Sequence, residues 1–377
     1  MGISRSHWRR YALVGIGAVA VSASAVTLGK ATASADPERS YRQVNLVSDI
    51  SGVAATPDGN LINPWGLVSG PSTPFWVADN NAGVSTLYNG AGQPFPVGSP
   101  LVVHIPPPAG GSSAAPTGVV FNGTNDFAVS EGLNSAPALF IFATEDGTIS
   151  GWALPVDVTH AILEVDNSKV PNAAGGAVYK GLAEGSADGA NYLYATNFRS
   201  GRVDVFDHAF KPVSAFGFSD PNIPNGFAPF GIRNIDDKLY VTYAKQNAVK
   251  HDDVEGPGNG FVDVYSTEGE LLKRLITQGV LNSPWGLALA PDGFGHFSDH
   301  LLVGNFGDGH VNAFDLNSGK ADGALLDEDG NPIFNGGLWA LDFGNGNASG
   351  PKTTLFFTAG VGGEAHGLFG ALKLDSD

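Results

Sequence analysis

The 377-residue chain contains no cysteine, which excludes disulfides, thiol nucleophiles and cysteine-based zinc sites. Basic residues are scarce. Twenty Lys and Arg face 37 Asp and Glu, a net charge of −17, and such a surface repels nucleic acid and anionic membranes. No His-Glu-x-x-His helix motif is present. Nor is there a Gly-x-Ser-x-Gly elbow, so a serine hydrolase of the α/β type is excluded. The Gly-rich stretches lack the Lys-Ser/Thr of a phosphate loop. Beyond the N-terminal segment, no stretch is apolar enough to span a membrane. What the chain has in abundance is glycine and proline, 52 and 24 residues, placed at corners between short apolar runs. That distribution belongs to an all-β fold with many turns.

The first 35 residues read separately. Arg5, Arg9 and Arg10 precede an apolar run from Tyr11 to Leu28, and Ala33-Ser34-Ala35 offers a small-x-small cleavage site before Asp36. This is the pattern of a secretory signal peptide over residues 1–35. The Arg9-Arg10 pair resembles a twin-arginine export signal, with an ordinary Sec signal as the alternative. The expected location is secreted or cell envelope, with residues 36–377 as one domain and no membrane span left after cleavage.

That domain is organised by a recurring stretch. Asn63-Pro64-Trp65-Gly66-Leu67 returns as Ser283-Pro284-Trp285-Gly286-Leu287. Looser copies are Pro116-Thr117-Gly118-Val119, Tyr179-Lys180-Gly181-Leu182, Pro229-Phe230-Gly231-Ile232 and Leu338-Trp339-Ala340-Leu341. Each copy leads into a strand of the Leu-Tyr-Val-Thr type, a polar turn, and a third strand alternating with period two, as in Arg202–Asp207. A self-similarity of roughly 50 residues in strand-type sequence is the mark of a radial repeat. Four short strands repeated six times predict a six-bladed β-propeller. The first strand of each blade is innermost, and the crowding of backbones at the axis explains the motif glycine. Tyr41–Val47 alternates but has no blade of its own, so it is expected to complete the last blade and remove an open sheet edge.

The Pro-x-Gly-apolar, Leu-Tyr-Val-Ala/Thr and Val-x-Val-Phe/Tyr sequence is similar to the NHL-type propeller repeat. Asn63–Leu67, Phe75–Asn80 and Phe142–Trp152 resemble a group of uncharacterised exported bacterial six-bladed propellers, over residues 41–377. The resemblance implies fold and export, and little about activity.

In a propeller, the turns after the second strands share a face with the loops before the first strands; the motif brings Asn63, Trp65, Tyr179, Phe230, Trp285 and Trp339 to that face, and the second-strand turns bring Asp79, Asn80, Glu131 (blade two), Asn197, Lys245, Asn305 and Glu364. The funnel mouth on that face is the expected ligand site, with Trp65, Phe230, Trp285 and Trp339 as an aromatic collar. The long Gln246–Asn259 turn, with His251-Asp252-Asp253, falls on the same face. An aromatic at the motif position equally suits packing between blades, and Asp79 or Asn197 equally suits capping a turn. Asp327–Asn331 has the look of half a calcium loop but lacks the downstream Glu, and a plain Asp-Gly turn accounts for it. Two classes remain. The favoured one is a binding or scaffold module, monomeric, recognising a glycan, peptide, protein or small molecule. The alternative is a calcium-dependent hydrolase resembling the gluconolactonase and regucalcin propellers. That resemblance implies calcium on the axis, with Asp79, Glu131, Asn197 and Asn305 as the nearest equivalents of its oxygen ligands. Catalytic residues are not identified.

Cleavage after Ala35 predicts an N-terminus at Asp36 in mass spectra of protein from the medium or envelope. Replacing Arg9 and Arg10 by Lys abolishes export if the route is twin-arginine; undiminished export of that variant assigns Sec.

Overall fold

Short apolar runs separated by Gly-, Asn- and Asp-containing turns fold into six antiparallel sheets set radially about an axis. This computed structural model describes residues 38–172 and 174–375, which belong to one compact unit. The paired arginines and the Ala33-Ser34-Ala35 site lie outside the described residues. In order around the axis, the innermost strands are Pro64–Val68, Pro116–Phe121, Tyr179–Ala187, Phe227–Ile235, Pro284–Leu289 and Leu338–Phe343. Each begins with a copy of the recurring motif, and each packs on the next, the sixth closing onto the first. The all-β, six-bladed expectation is met.

Blade three shows how the sequence makes a blade. Tyr179–Ala187 pairs with Ala190–Asn197, which pairs with Arg202–Asp207, and Pro212–Val213 forms the outer edge. Val203 and Val205 are buried while Arg202 is exposed, the period-two alternation of a strand facing a neighbouring sheet. Its turn closes because Gly201 adopts φ 69°, bringing its N–H to the Asn197 carbonyl at 3.0 Å.

The motif glycine is explained by what stands behind it. A Cβ at Gly231 would lie 2.2 Å from the Trp285 carbonyl oxygen of the next blade, and one at Gly66 would lie 2.4 Å from the Thr117 carbonyl oxygen. Backbone meets backbone there, so no side chain fits. The pairing register also breaks at this point, between Pro64 and Leu67 in blade one and between Pro229 and Ile232 in blade four. Carbonyls freed by the break are taken up by buried threonines of the preceding blade. Thr196 Oγ1 donates to Phe230 O at 2.6 Å, and Thr358 Oγ1 donates to Trp65 O at 2.6 Å.

Blade six closes the ring as anticipated. Its sheet runs Leu338–Phe343, Leu355–Ala359, Leu368–Leu374 and then Tyr41–Ser48, with Thr56–Pro57 alongside in parallel. Tyr41 lies opposite Leu374 and Ser48 opposite Leu368. Tyr41 is buried, stacks on Phe294 at 4.6 Å and donates its hydroxyl to the Phe294 carbonyl at 2.8 Å.

Blade two departs from expectation. Its second and third strands are Phe140–Thr144 and Thr148–Trp152. The stretch ending at Glu131 is instead one arm of an added hairpin, Ala128–Glu131 with Asn134–Pro137. Both segments alternate well enough to be strands. The buried aromatic pair Phe140 and Phe142, packed on Trp76 of blade one at 4.1 and 6.3 Å, decides which one joins the blade.

Deleting residues 36–49 removes the partner of Leu368–Leu374 and uncovers a long edge. A lower melting temperature and aggregation are expected by thermal melt and size-exclusion chromatography; a truncated chain as stable and monomeric as the parent refutes closure by this strand.

Candidate functional site

The residues before the motif glycine or alanine are Trp65, Thr117, Lys180, Phe230, Trp285 and Trp339; all but Thr117, which donates to the Ala143 and Tyr179 carbonyls, gather at the centre of the ring. The four expected collar residues do come together, as a plug rather than an open collar. Trp65 and Trp339 stack with centroids 3.5 Å apart, and Trp285 meets them edge-on at 6.2 and 5.8 Å. Phe230 lies 6.0 Å from Trp339, and Phe306 stacks on Trp339 at 4.2 Å. Trp65, Trp339 and Phe230 are buried, and Trp285 is half-buried. Both alternatives left open by the sequence are therefore partly realised: the rings pack between blades, and together they floor the mouth.

On that floor stands a single lysine. Lys180 is buried, with its ammonium 5.0 Å above the Trp65 ring and 5.9 Å from Phe198. It is ion-paired with Glu145 of blade two, and lies 3.5 Å from Asp252 of blade four. Asn80 of blade one donates to Glu145 at 3.1 Å. On the other side Trp339 Nε1 donates to Asn63 Oδ1 at 3.0 Å, and Asn63 Nδ2 donates to Glu364 of blade six at 2.8 Å. The hydrogen bond to His251, with Lys180 nearby, holds the Asp252 carboxyl down at about 2. Burial pushes the Asp253 and Glu364 carboxyls up.

Lys180 was not singled out in the sequence, where its neighbour Tyr179 stood for the motif. Tyr179 is turned away from the axis and donates its hydroxyl to Asp204 at 3.1 Å. The available signal was the column of residues before the motif glycine, in which Lys180 is the one charged member. Likewise the second-strand turn of blade two brings Glu145 to the mouth in place of Glu131, because Phe140–Thr144 and not Ala128–Glu131 is the second strand.

Of the four residues expected as calcium ligands, Asp79, Asn197 and Asn305 are engaged by protein partners within their own blades or the loops beside them, and Glu131 lies elsewhere. Asp79 is fully buried and accepts from the Thr86 N–H at 3.1 Å and hydroxyl at 2.8 Å, and burial pushes its carboxyl well above the usual range. Asn197 accepts from the Ser200 N–H at 3.3 Å and donates to Asp204 at 2.8 Å, capping its turn. Asn305 donates to the Val280 carbonyl at 2.8 Å and to Asp308 at 3.1 Å. Glu131 is exposed on the added hairpin, off the blade-two turn assigned to it. Asp327 likewise caps its own turn, accepting from the Asn331 N–H at 2.8 Å. A different trio, Glu145, His251 and Asp252, brings one donor atom each within 4.8 Å.

Removing the lysine leaves Glu145 unpaired in a water-poor site. Lys180→Met is expected to cost about 3 kcal/mol in denaturant unfolding, most of it recovered in the Lys180→Met, Glu145→Gln double variant. Equal stability of the single variant and the parent shows that the pair is not buried as described.

No protein-family model matches the chain. Two proteins of Acanthamoeba polyphaga mimivirus, the uncharacterized proteins R648 and L690, are each 32% identical to it over 341 residues. The matches cover 88% of this chain and 79% and 85% of those proteins. These relatives are viral, which corrects the bacterial family implied by the motif resemblance. The soluble aldose sugar dehydrogenase of Escherichia coli superposes with a TM-score of 0.53 at 13% identity, over 89% of this chain and 99% of that one. A catalytically inactive virginiamycin B lyase from Staphylococcus aureus, with quinupristin, gives 0.50 at 13% identity, over 88% and 98%. At such identity the likeness concerns the fold alone. A six-bladed propeller whose blades align over most of the mimivirus sequences places the chain plainly: it belongs to the family of the mimivirus protein R648.

Proposed function

We propose that the protein is a binding module that recognises a glycan, peptide or protein at the mouth above the aromatic plug. One observation carries this. Two groups of side chains meet over the aromatic floor: Asn80, Glu145, Lys180 and Asp252 from blades one to four, and Trp339, Asn63 and Glu364 from blades six and one, tied together where the Asn80 N–H donates to the Asn63 carbonyl at 3.1 Å. Such a surface offers fixed donors and acceptors at little ordering cost to the protein. The rim adds exposed apolar side chains, Val249 on the blade-four turn and Phe334 on the connection into blade six. Mixed polar and apolar contact of this kind suits an extended ligand.

The second reading, a cation-dependent hydrolase, is favoured by the Glu145, His251 and Asp252 trio. Against it, the ammonium of Lys180 already occupies the place between Glu145 and Asp252. We propose also that the module works outside the cytoplasm, on the strength of the arginine-led apolar segment before Asp36.

Glycan and peptide arrays probed with the protein test the binding reading. Retention of a ligand is expected, with loss in Asp252→Ala and Glu364→Gln. Thermal melts with calcium and with chelator are expected to coincide. Calcium at a hundredfold excess over its dissociation constant stabilises a folded-state site by about 2.7 kcal/mol. A shift of that order, lost in Glu145→Gln and Asp252→Asn, overturns the binding reading in favour of the hydrolase.

A further inference from the structure

We propose that the opposite end of the axis is a second ligand site, a well that takes a small organic ammonium ion with an apolar body. The well has a volume of about 290 Å³ and is lined by the inner strands of all six blades. That size lies at the lower end of small-molecule pockets. Its walls include Leu67, Leu182, Ile232 and Leu287, and Trp285 of the plug reaches it from within. An alkyl or aryl body is matched by these walls, and an indole ring favours a cation nearby.

The charges in the well select the sign of the ligand. Arg233 reaches from blade four to blade six, where it donates to the Leu341 carbonyl at 2.9 Å and to Asp342 at 2.6 Å. Its charge is thus already matched. Glu184 lines the well from blade three, and among the described residues its carboxyl has neither a hydrogen bond nor an ion pair. The strand that carries it is pinned, since Asn234 Nδ2 donates to the Glu184 carbonyl at 2.9 Å. The charge that acts on Glu184 is that of another acid, Asp126, which accepts from Asn191 Nδ2 at 2.8 Å. A carboxylate ligand would meet the like charge of Glu184 and an arginine already engaged. An ammonium supplies the missing countercharge.

Glu184 also makes the site sensitive to pH. Burial, and then the neighbouring Asp126, push its carboxyl up to about 7. Below that value Glu184 is protonated and offers an ammonium no charge; above it the carboxylate forms. Arg233 is the other charged residue in the lining, Asp342 is its ion-pair partner, and Asp126 acts on Glu184 from outside the lining. An alkylammonium stays charged to about pH 10, so its affinity rises with pH through the titration of Glu184.

Calorimetry of the purified protein with phenethylammonium, at pH 8 and pH 6, tests this, with phenethyl alcohol and phenylacetate as controls. Binding is expected for the amine alone. It should weaken about tenfold at pH 6, as the ionised share of a group titrating near 7 falls. Glu184→Gln should abolish it, while Asp252→Asn, at the mouth, should leave it unchanged. Absence of amine binding at pH 8, equal binding of the alcohol or phenylacetate, or undiminished binding by Glu184→Gln overturns the proposal. The pH comparison on the unaltered protein decides even if a variant misfolds.

Discussion

The molecule depends on how closely six inner strands approach one another. At Gly66 and Gly231 the neighbouring backbone lies where a Cβ would be, so the ring has contracted to backbone contact. The break in strand pairing at the same point turns carbonyls sideways, and Thr196 and Thr358 answer them from the preceding blade. Buried carbonyls need such partners, so the device that tightens the ring also fixes each blade against the next. The one alanine in the series, Ala340, falls in blade six, where it packs with Leu67 and Phe356 at the seam with blade one.

A ring this tight leaves no open channel. Most of the side chains before the glycines are forced inward and meet, and the large ones stack into a plug. The stack of Trp65 on Trp339 spans the seam between first and last blades, so it adds to the closure made by Tyr41–Ser48. Lys180 is the exception in this column. An acidic protein places an ammonium at its own centre, over an indole face and between two carboxylates from other blades. That arrangement satisfies a buried charge with a cation–π contact and carboxylate partners, as burial requires. The plug divides the axis into two ends of different character. The mouth is a network of acids and amides over aromatics; the well is largely aliphatic and carries a carboxylate, Glu184, without a partner among the described residues.

The fold was largely legible in the sequence. The motif glycine, the alternating third strands and the spare strand at Tyr41–Val47 each reflect a local constraint: crowding, burial of one face, and an edge in need of a partner. The site was legible only in part. Trp65, Phe230, Trp285 and Trp339 were identified, and so was the face bearing His251-Asp252-Asp253. Glu145 and Lys180 were not legible in the sequence. The segment ending at Glu131 reads as a second strand as well as Phe140–Thr144 does, and Tyr179 suits the third motif as well as Lys180 does. In both cases neighbouring residues fit the local pattern equally well, and only packing against another blade chose between them.

The sequence by itself determined the number of blades, the strands of most of them and the closure of the ring, because repeats, periodicity and glycine positions act over a few residues; in blade two it left two candidate second strands. It also determined that the chain has no thiol chemistry and an acidic surface, since these are properties of composition. Tertiary structure decided the rest. Whether Asn197 and Asn305 faced a cation or capped a turn depended on which donors lay within reach, and those proved to be local. Whether the axis was a funnel or a plug depended on the ring's radius. The meeting of Lys180 with Glu145 and Asp252 required three blades to close on one point, and the isolation of Glu184 required Arg233 to be drawn to blade six. Such pairings join residues far apart in the chain, and their energies depend on distance and burial, which exist only once the ring has closed.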